Sequence, residues 1–273
     1  NLAQALAAQA SVPVHYAGLQ ESLEEKRELD RGMHIAQQIQ HSLLPLQLPT
    51  FPSVELAAFN HPAMDIGGDY YDVIAIDDKH IGLAIADVSG KGIGGALMMA
   101  VCRSVLRANA LNVIDPASML CSLNKTLSSN LAEDMFVSML YLVLNLDTHV
   151  LSYARAGHEA PIIIHNGESK ADHTETAGVA IGLVESDVFN AVIETRHLSL
   201  HPGDLVVMYT DGVTEAMNSA GEEWGTRKLI ETVERMADAP AEDVLDNIRR
   251  EVLAFTGNNH QSDDMTMLAF KIR

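Results

Sequence analysis

Residues 64–73 read "MDIGGDYYDV". Two adjacent glycines, Gly67 and Gly68, stand among three acids, Asp65, Asp69 and Asp72. The stretch lies between a segment broken by Pro45, Pro49 and Pro52 and the apolar run "YYDVIAI". Glycine permits tight backbone approach, and aspartate is disfavoured within strands but common in the turns beside them. The stretch therefore predicts a turn delivering Asp69 to the start of a strand. A lone aspartate there is a turn residue by default, so the question is whether the pattern recurs.

It does. Asp87 follows the strand-like "IGLAIA", Asp211 follows "LVVMYT", and Asp263 and Asp264 precede the closing run "MTMLAFKI". Two of these acids lead into glycine-bearing loops, "ADVSGKGIGG" and "TDGV". Around them, "VELAAF", "HIGLAIADV" and "PIIIHNG" read as further strands. "FVSMLYLVLNLDTHVLSYARAG" reads as two strands about a turn at Asp147–Thr148. Helices are predicted over 93–111, 115–131, 226–236 and 240–256. Many strands with helices in pairs predict one α+β domain over residues 54–273, two sheets flanked by helices.

Composition narrows the function. The chain has 273 residues, 47% hydrophobic and 20% charged, with a formal charge of −19. Such a chain repels phosphate backbones and anionic lipid, which argues against nucleic acid as a partner. Acid excess also suits bound divalent cations. Cys102 and Cys121 form no disulfide framework and read as small core residues. That usage, with no signal peptide and no apolar run long enough to span a bilayer, leads us to expect a cytoplasmic protein. The first residue is Asn1 rather than Met, and a fragment of a longer chain is expected.

Clustered aspartates without cysteine or histidine partners are hard oxygen ligands, suited to Mg²⁺ or Mn²⁺ rather than Zn²⁺. The twelve histidines form no zinc pattern. His158, in "AGHEAP", is the one to watch, with a structural role favoured. "DVSGKGIGG" is no P-loop, "GIGGA" no dinucleotide fingerprint, and no G-x-S-x-G elbow occurs. Ser89 beside Asp87 has no recognisable base and reads as a turn residue.

In this order, "GGDYYD", "ADVSGKGIGGALMM", "YTDGVTEA" and "SDDMTMLAFKI" resemble the PPM (type 2C-like) family of metal-dependent serine/threonine protein phosphatases. The resemblance is strongest to its bacterial branch, which holds the stage II sporulation phosphatase and the stress-response partner-switching phosphatases. It implies an antiparallel β-sandwich with helices on both faces and a centre of two Mn²⁺ or Mg²⁺ ions between the sheets. Asp87 would bridge both metals, with the Val88 carbonyl beside it. Asp69 would serve one metal, and Asp211 and Asp263 the other. Asp264, often Asn in relatives, would be an accessory or supporting group. Asp72 would hold either a metal-bound water or the turn. Backbone N–H groups of "SGKG" and Lys91 would draw in the phosphate, with a solvated loop cation the plainer role for Lys91. Two such ions, about 3.5–4 Å apart, activate a shared water, so no protein nucleophile is required. The histidine that eukaryotic members carry after the bridging aspartate is missing from "ADVSG", which leaves the general acid unidentified. The implied substrate is a phosphoserine or phosphothreonine on a STAS-type anti-sigma-factor antagonist. The rival readings are a non-catalytic signalling module of the same fold and a hydrolase of small phosphate esters.

Residues 1–45 read as a helical linker interrupted at Pro13. Leu19, Leu23, Leu29, Met33, Ala36, Ile39 and Leu43 recur at spacings of three and four, with Lys26 out of pattern. That is close to a coiled-coil seam, a single helix packed on its own domain being the alternative. The segment resembles the last helix of a GAF sensor running into a signalling helix. "IAQQIQHSLLP" resembles the linker preceding this phosphatase branch. A homodimer through this helix is expected, with helix 93–111 as the element that would respond to it.

Overall fold

The computed structural model describes residues 20, 23, 24, 26–28, 31–90, 92–131, 135–173 and 176–273. Residues 31–43 form helix α1, which stops ahead of Pro45. Strands β1 (Val54–His61), β2 (Tyr70–Ala75) and β3 (His80–Val88) follow. Then come helices α2 (Ile93–Ala110) and α3 (Pro116–Leu127), and strands β4 (Val137–Asn145), β5 (Val150–Ala156) and β6 (Ile162–Ile164). The remainder is α4 (Ser186–Val192), β7 (Arg196–Ser199), β8 (Leu205–Tyr209), α5 (Asp211–Thr214), α6 (Thr226–Arg235), α7 (Ala241–Thr256) and β9 (Met265–Ile272).

Two antiparallel sheets result, ordered β1-β9-β8-β6 and β2-β3-β4-β5-β7. Strand alternation sorts their side chains into layers. On β3, Ile81, Leu83 and Ile85 point into the core between the sheets, where they meet Leu140, Leu142, Val206, Met208, Leu268 and Phe270. Ala84, Ala86 and Val88 point outward, where their small size lets α2 and α3 lie close. Helices α2, α3 and α4 cover the five-stranded sheet, and α6 and α7 the four-stranded one. The sandwich with helices on both faces is thus as expected.

Local chemistry explains most boundaries. Asp115 caps α3 by accepting the Ser118 N–H at 2.8 Å, with Pro116 in the first turn. The β4–β5 turn is held by Asn145 Oδ1, which accepts the N–H groups of Asp147 and Thr148. Helix α4 and strand β7 have no counterpart in the sequence reading; they are seven and four residues long, too short for a periodic signal. Asp87 lies within β3, opposite Ser138, rather than just beyond the strand. Asp211 opens a four-residue helix rather than a loop.

Cys102 is fully buried and its thiol is pushed up to about 12 by burial, while Cys121 is half-buried against the same core. Both are free. Among the described residues no helix is long and apolar enough to cross a membrane.

Candidate metal centre

The acids meet at one end of the sandwich because neighbouring strands on both sheets finish there. Asp69 stands just before β2 and Asp87 at the end of β3. Asp211 follows β8, and Asp263 and Asp264 lead into β9. Four segments distant in sequence thus meet, and three of them line a cavity of about 180 Å³ whose walls include Gly67, Gly68, Asp87, Val88, Asp263 and Asp264. Asp69 sits behind Gly68, and the Asp211 turn abuts Asp263–Asp264.

Glycines make the convergence possible. A Cβ on Gly68 would lie 2.5 Å from the Val88 carbonyl oxygen and 3.4 Å from Asp87 Oδ1. On Gly67 it would lie 2.0 Å from Asp264 Oδ2, and on Gly212 2.0 Å from the Asp264 carbonyl oxygen. The loop that delivers Asp69 therefore closes directly onto Asp87–Val88, and the Asp211–Gly212 turn onto Asp263–Asp264.

Asp69 is buried, and its Oδ2 accepts the hydroxyl hydrogens of Thr210 at 2.9 Å and Thr266 at 2.5 Å. Thr266 in turn accepts from Asn60 Nδ2 at 2.8 Å. Burial, then the charges of Asp87 and Asp264, raise the pKa of Asp69 well above the usual carboxylate range, against the pull of the two hydroxyls. Asp264 spends both oxygens on the backbone: Oδ1 accepts the Ala63 N–H at 2.7 Å and Oδ2 the Gly68 N–H at 2.7 Å. It shapes the loop that carries Asp69. Asp211 and Asp263 face a second side, where burial and then the charges of Asp211, Glu223, Asp263 and Glu159 raise the pKa of exposed Glu215.

Asp72 does not join this ring. Strand alternation turns it to the opposite face of the sheet, wholly buried under α2. There Arg107 donates from Nε at 2.6 Å and Nη2 at 2.7 Å, and the Tyr70 hydroxyl donates at 2.6 Å. It holds neither a turn nor a group in the cavity. Lys91 lies outside the described residues. Ser89 accepts the Phe136 N–H on its hydroxyl at 2.7 Å, as a turn residue does. His158 is buried, bonded through Nδ1 to the Ser138 hydroxyl at 2.8 Å and through Nε2 to the Tyr209 carbonyl at 3.1 Å. Sequence reasoning took the acids and missed Thr210, Thr266 and Asn60. The two threonines were already in view within "YTDG" and "DDMT".

The donor set fits hard divalent cations in kind. It comprises carboxylates, one backbone carbonyl brought close by a glycine, and a buried aspartate whose charge is opposed by neighbouring acids, a repulsion a cation relieves. Asp87, Asp263 and Asp264 line the cavity while Asp69 and Asp211 stand outside its lining, and among the described residues no three His, Cys, Asp or Glu side chains form a ready metal-holding group.

This fold is that of a PP2C-type phosphatase domain. The family model described as Stage II sporulation protein E (SpoIIE) matches residues 77–273, and the chain belongs to that family. "Phosphoserine phosphatase RsbU" of Bacillus subtilis (strain 168) is 30% identical over 248 residues, covering 90% of this chain and 71% of its own. "Protein IcfG" of Synechocystis sp. (strain ATCC 27184 / PCC 6803 / Kazusa) is 30% identical over 269 residues, covering 89% of this chain. The chain spans only 41% of IcfG's length. Among solved structures, the SiaA-PP2C domain of Pseudomonas aeruginosa superposes with a TM-score of 0.79 at 21% identity, covering 91% of this chain and 98% of that one. The SpoIIE phosphatase domain of Bacillus subtilis, with a fragment of its regulatory domain, gives 0.67 at 18% identity, covering 80% and 63%. These two likenesses concern the fold.

Proposed function

We propose that this chain is a metal-dependent protein serine/threonine phosphatase acting on a phosphorylated STAS-type anti-sigma-factor antagonist in a partner-switching pathway. The observation that carries the reading is that Asp87, Asp263, Asp264 and Val88 line one cavity, with Asp69 close enough to feel the charges of Asp87 and Asp264 and the Asp211–Gly212 turn packed on Asp263–Asp264. Asp69, Asp87 and the Val88 carbonyl would hold one Mn²⁺ or Mg²⁺, and Asp87, Asp211 and Asp263 the other. When bound, two such ions supply an activated water and offset the charge of a phosphate dianion. The chain's own part is to hold these oxygens in place. Thr210 and Thr266 orient Asp69, and Asp264 fixes the loop that carries it. Ser89 and His158 have their side chains engaged in structural bonds, which agrees with a reaction that uses no protein nucleophile. Water is left to protonate the serine leaving group.

The N-terminal helix we take to be a dimerising linker. Of its seam residues, Leu23 and Ile39 are 47% and 58% exposed while Met33, Ala36 and Leu43 are half-buried; the exposed pair is what a coiled-coil partner would cover. Leu19 and Leu29 lie outside the described residues.

The test is Mn²⁺-dependent phosphate release from a phosphoserine STAS protein, comparing the intact chain with Asp87→Asn and Asp211→Asn. Release should need metal and fall by more than about 100-fold in both variants, beyond the loss typical of a merely supporting group. Metal binding without release from any phosphoprotein would favour the non-catalytic signalling module.

A further inference from the structure

Among the described residues of the linker up to Pro45, Gln40 is the one that is buried, at 8% exposure. Its apolar neighbours Ile35 and Ile39 are 51% and 58% exposed. A helix that turns a glutamine inward and isoleucines outward is using the amide for something. Gln40 Nε2 donates to the Gly67 carbonyl at 2.5 Å, and Gln40 Oε1 accepts the Gly67 N–H at 3.1 Å. The side-chain amide thus pairs with both backbone groups of one residue, as a neighbouring strand would.

Gly67 is two residues from Asp69. From the domain side, Asp264 packs on it and accepts the next N–H. From the linker side, Gln40 holds it. Beyond it, Leu44 packs on the core and the Tyr71 hydroxyl donates to the Pro45 carbonyl at 3.3 Å. A groove of about 560 Å³, lined by Gln37, His41, Leu44, Asp65 and Tyr71 among others, runs between linker and domain. Gln40 reaches across that groove.

We propose that Gln40 is a positioning residue for the metal centre. It clamps Gly67, sets where Asp69 sits, and so couples the placement of the linker helix to metal binding. The coupling runs through the loop before β2 rather than through helix 93–111. This rests on the reading of Asp69 as a metal ligand.

The experiment compares the 273-residue chain with Gln40→Ala, Gln40→Glu and, as control, Gln38→Ala on the exposed side of the same helix. Two readouts need no turnover: amide hydrogen exchange in peptides covering residues 63–70, and Mn²⁺ affinity by calorimetry. In Gln40→Ala, exchange in that loop should quicken by about 10-fold or more while other peptides keep their rates. Mn²⁺ should bind about 10–100-fold more weakly, the range for groups that orient metal ligands. Gln40→Glu keeps the acceptor for the Gly67 N–H and should fall between. The control should match the parent. Unchanged loop exchange and metal affinity in Gln40→Ala would overturn the proposal, as would faster exchange spread evenly over the domain. A chain showing these shifts but releasing no phosphate would sink the phosphatase reading and leave the role of Gln40 standing.

Discussion

Asp264 Oδ2 accepts the Gly68 N–H at 2.7 Å across 196 residues of sequence, while Oδ1 of the same carboxylate accepts the Ala63 N–H. The final strand thereby sets the shape of the loop preceding β2. Asp264→Ala strands the buried Gly68 N–H and the half-buried Ala63 N–H, and a buried donor left unpaired costs roughly 1–3 kcal/mol. We expect a loss of about 2–4 kcal/mol in urea denaturation, and about 1 kcal/mol for Asp264→Asn, which keeps one acceptor oxygen. Equal losses in the two variants would refute this division of labour.

Asp69 gives a prediction of opposite sign. Burial, Asp87 and Asp264 raise its folded pKa above the unfolded value, so the folded chain binds the proton more tightly. Its contribution is then fully present below the unfolded pKa and is lost as pH rises through the folded one. At pH 7 and without metal, carrying this carboxyl into the folded chain opposes folding. Asp69→Asn should raise the metal-free melting temperature at pH 7 by at least about 2–4 °C, the worth of about 1 kcal/mol in a chain this size. The gain should shrink towards pH 4. Added Mn²⁺ should stabilise the parent and do little for the variant, reversing their order. A variant less stable than the parent without metal at pH 7 would contradict the account.

These residues also show what the sequence could and could not convey. The strand ends were legible because each acid sits where an apolar run stops, and the glycines beside them marked close approach. Periodicity cannot reveal which face of a strand an acid occupies at the strand's first turns. Asp69 and Asp72 are three residues apart and point to opposite faces, one to Thr210 and Thr266 of the other sheet and one under α2. Arg107, the partner that decides the case of Asp72, lies 35 positions away. Thr210, just past β8, and Thr266, in β9, stood in view beside the acids, but neither hydroxyl signals a role until the segment before β2 is in place. Gln40 read as one polar residue of an amphipathic helix, because its partner is backbone and leaves no trace in composition.

Arg107 and Asp72 make a bidentate pair in which the carboxylate is wholly buried and the guanidinium side chain 41% exposed. Removing one partner of a buried pair leaves an uncompensated charge, a loss of about 3–5 kcal/mol when both are buried. The exposure of Arg107 and the remaining bond from Tyr70 should hold Arg107→Met to about 2–3 kcal/mol. The double variant Arg107→Met with Asp72→Asn should be more stable than the sum of the single losses implies, because the buried charge has gone. Additive losses in a urea-denaturation cycle would mean that the pair does not act as a unit.

His158 ties the two sheets together at the base of the candidate site. Ser138, directly opposite Asp87 on β4, meets its Nδ1, and the Tyr209 carbonyl, two residues before Asp211, meets its Nε2. The backbone carbonyl can only accept, so Nε2 carries the hydrogen and Nδ1 accepts from the serine. Burial, aided by the charge of Arg155, pushes the histidine pKa down to about 3, against the pull of the Tyr209 carbonyl. The folded chain therefore binds this proton less tightly than the unfolded chain does. The stabilisation is present above the unfolded value near 6.5 and is lost as pH falls towards 3. Within that window it changes by about 1.4 kcal/mol per pH unit. The glutamine side chain can present both a donor and an acceptor but does not titrate. The stability of the parent relative to His158→Gln should therefore climb by about 1.4 kcal/mol for each pH unit between about 4 and 6, then level off above about 7. Urea denaturation at four pH values in that range measures it. A difference that stays flat with pH would show that His158 already carries its proton in the folded chain.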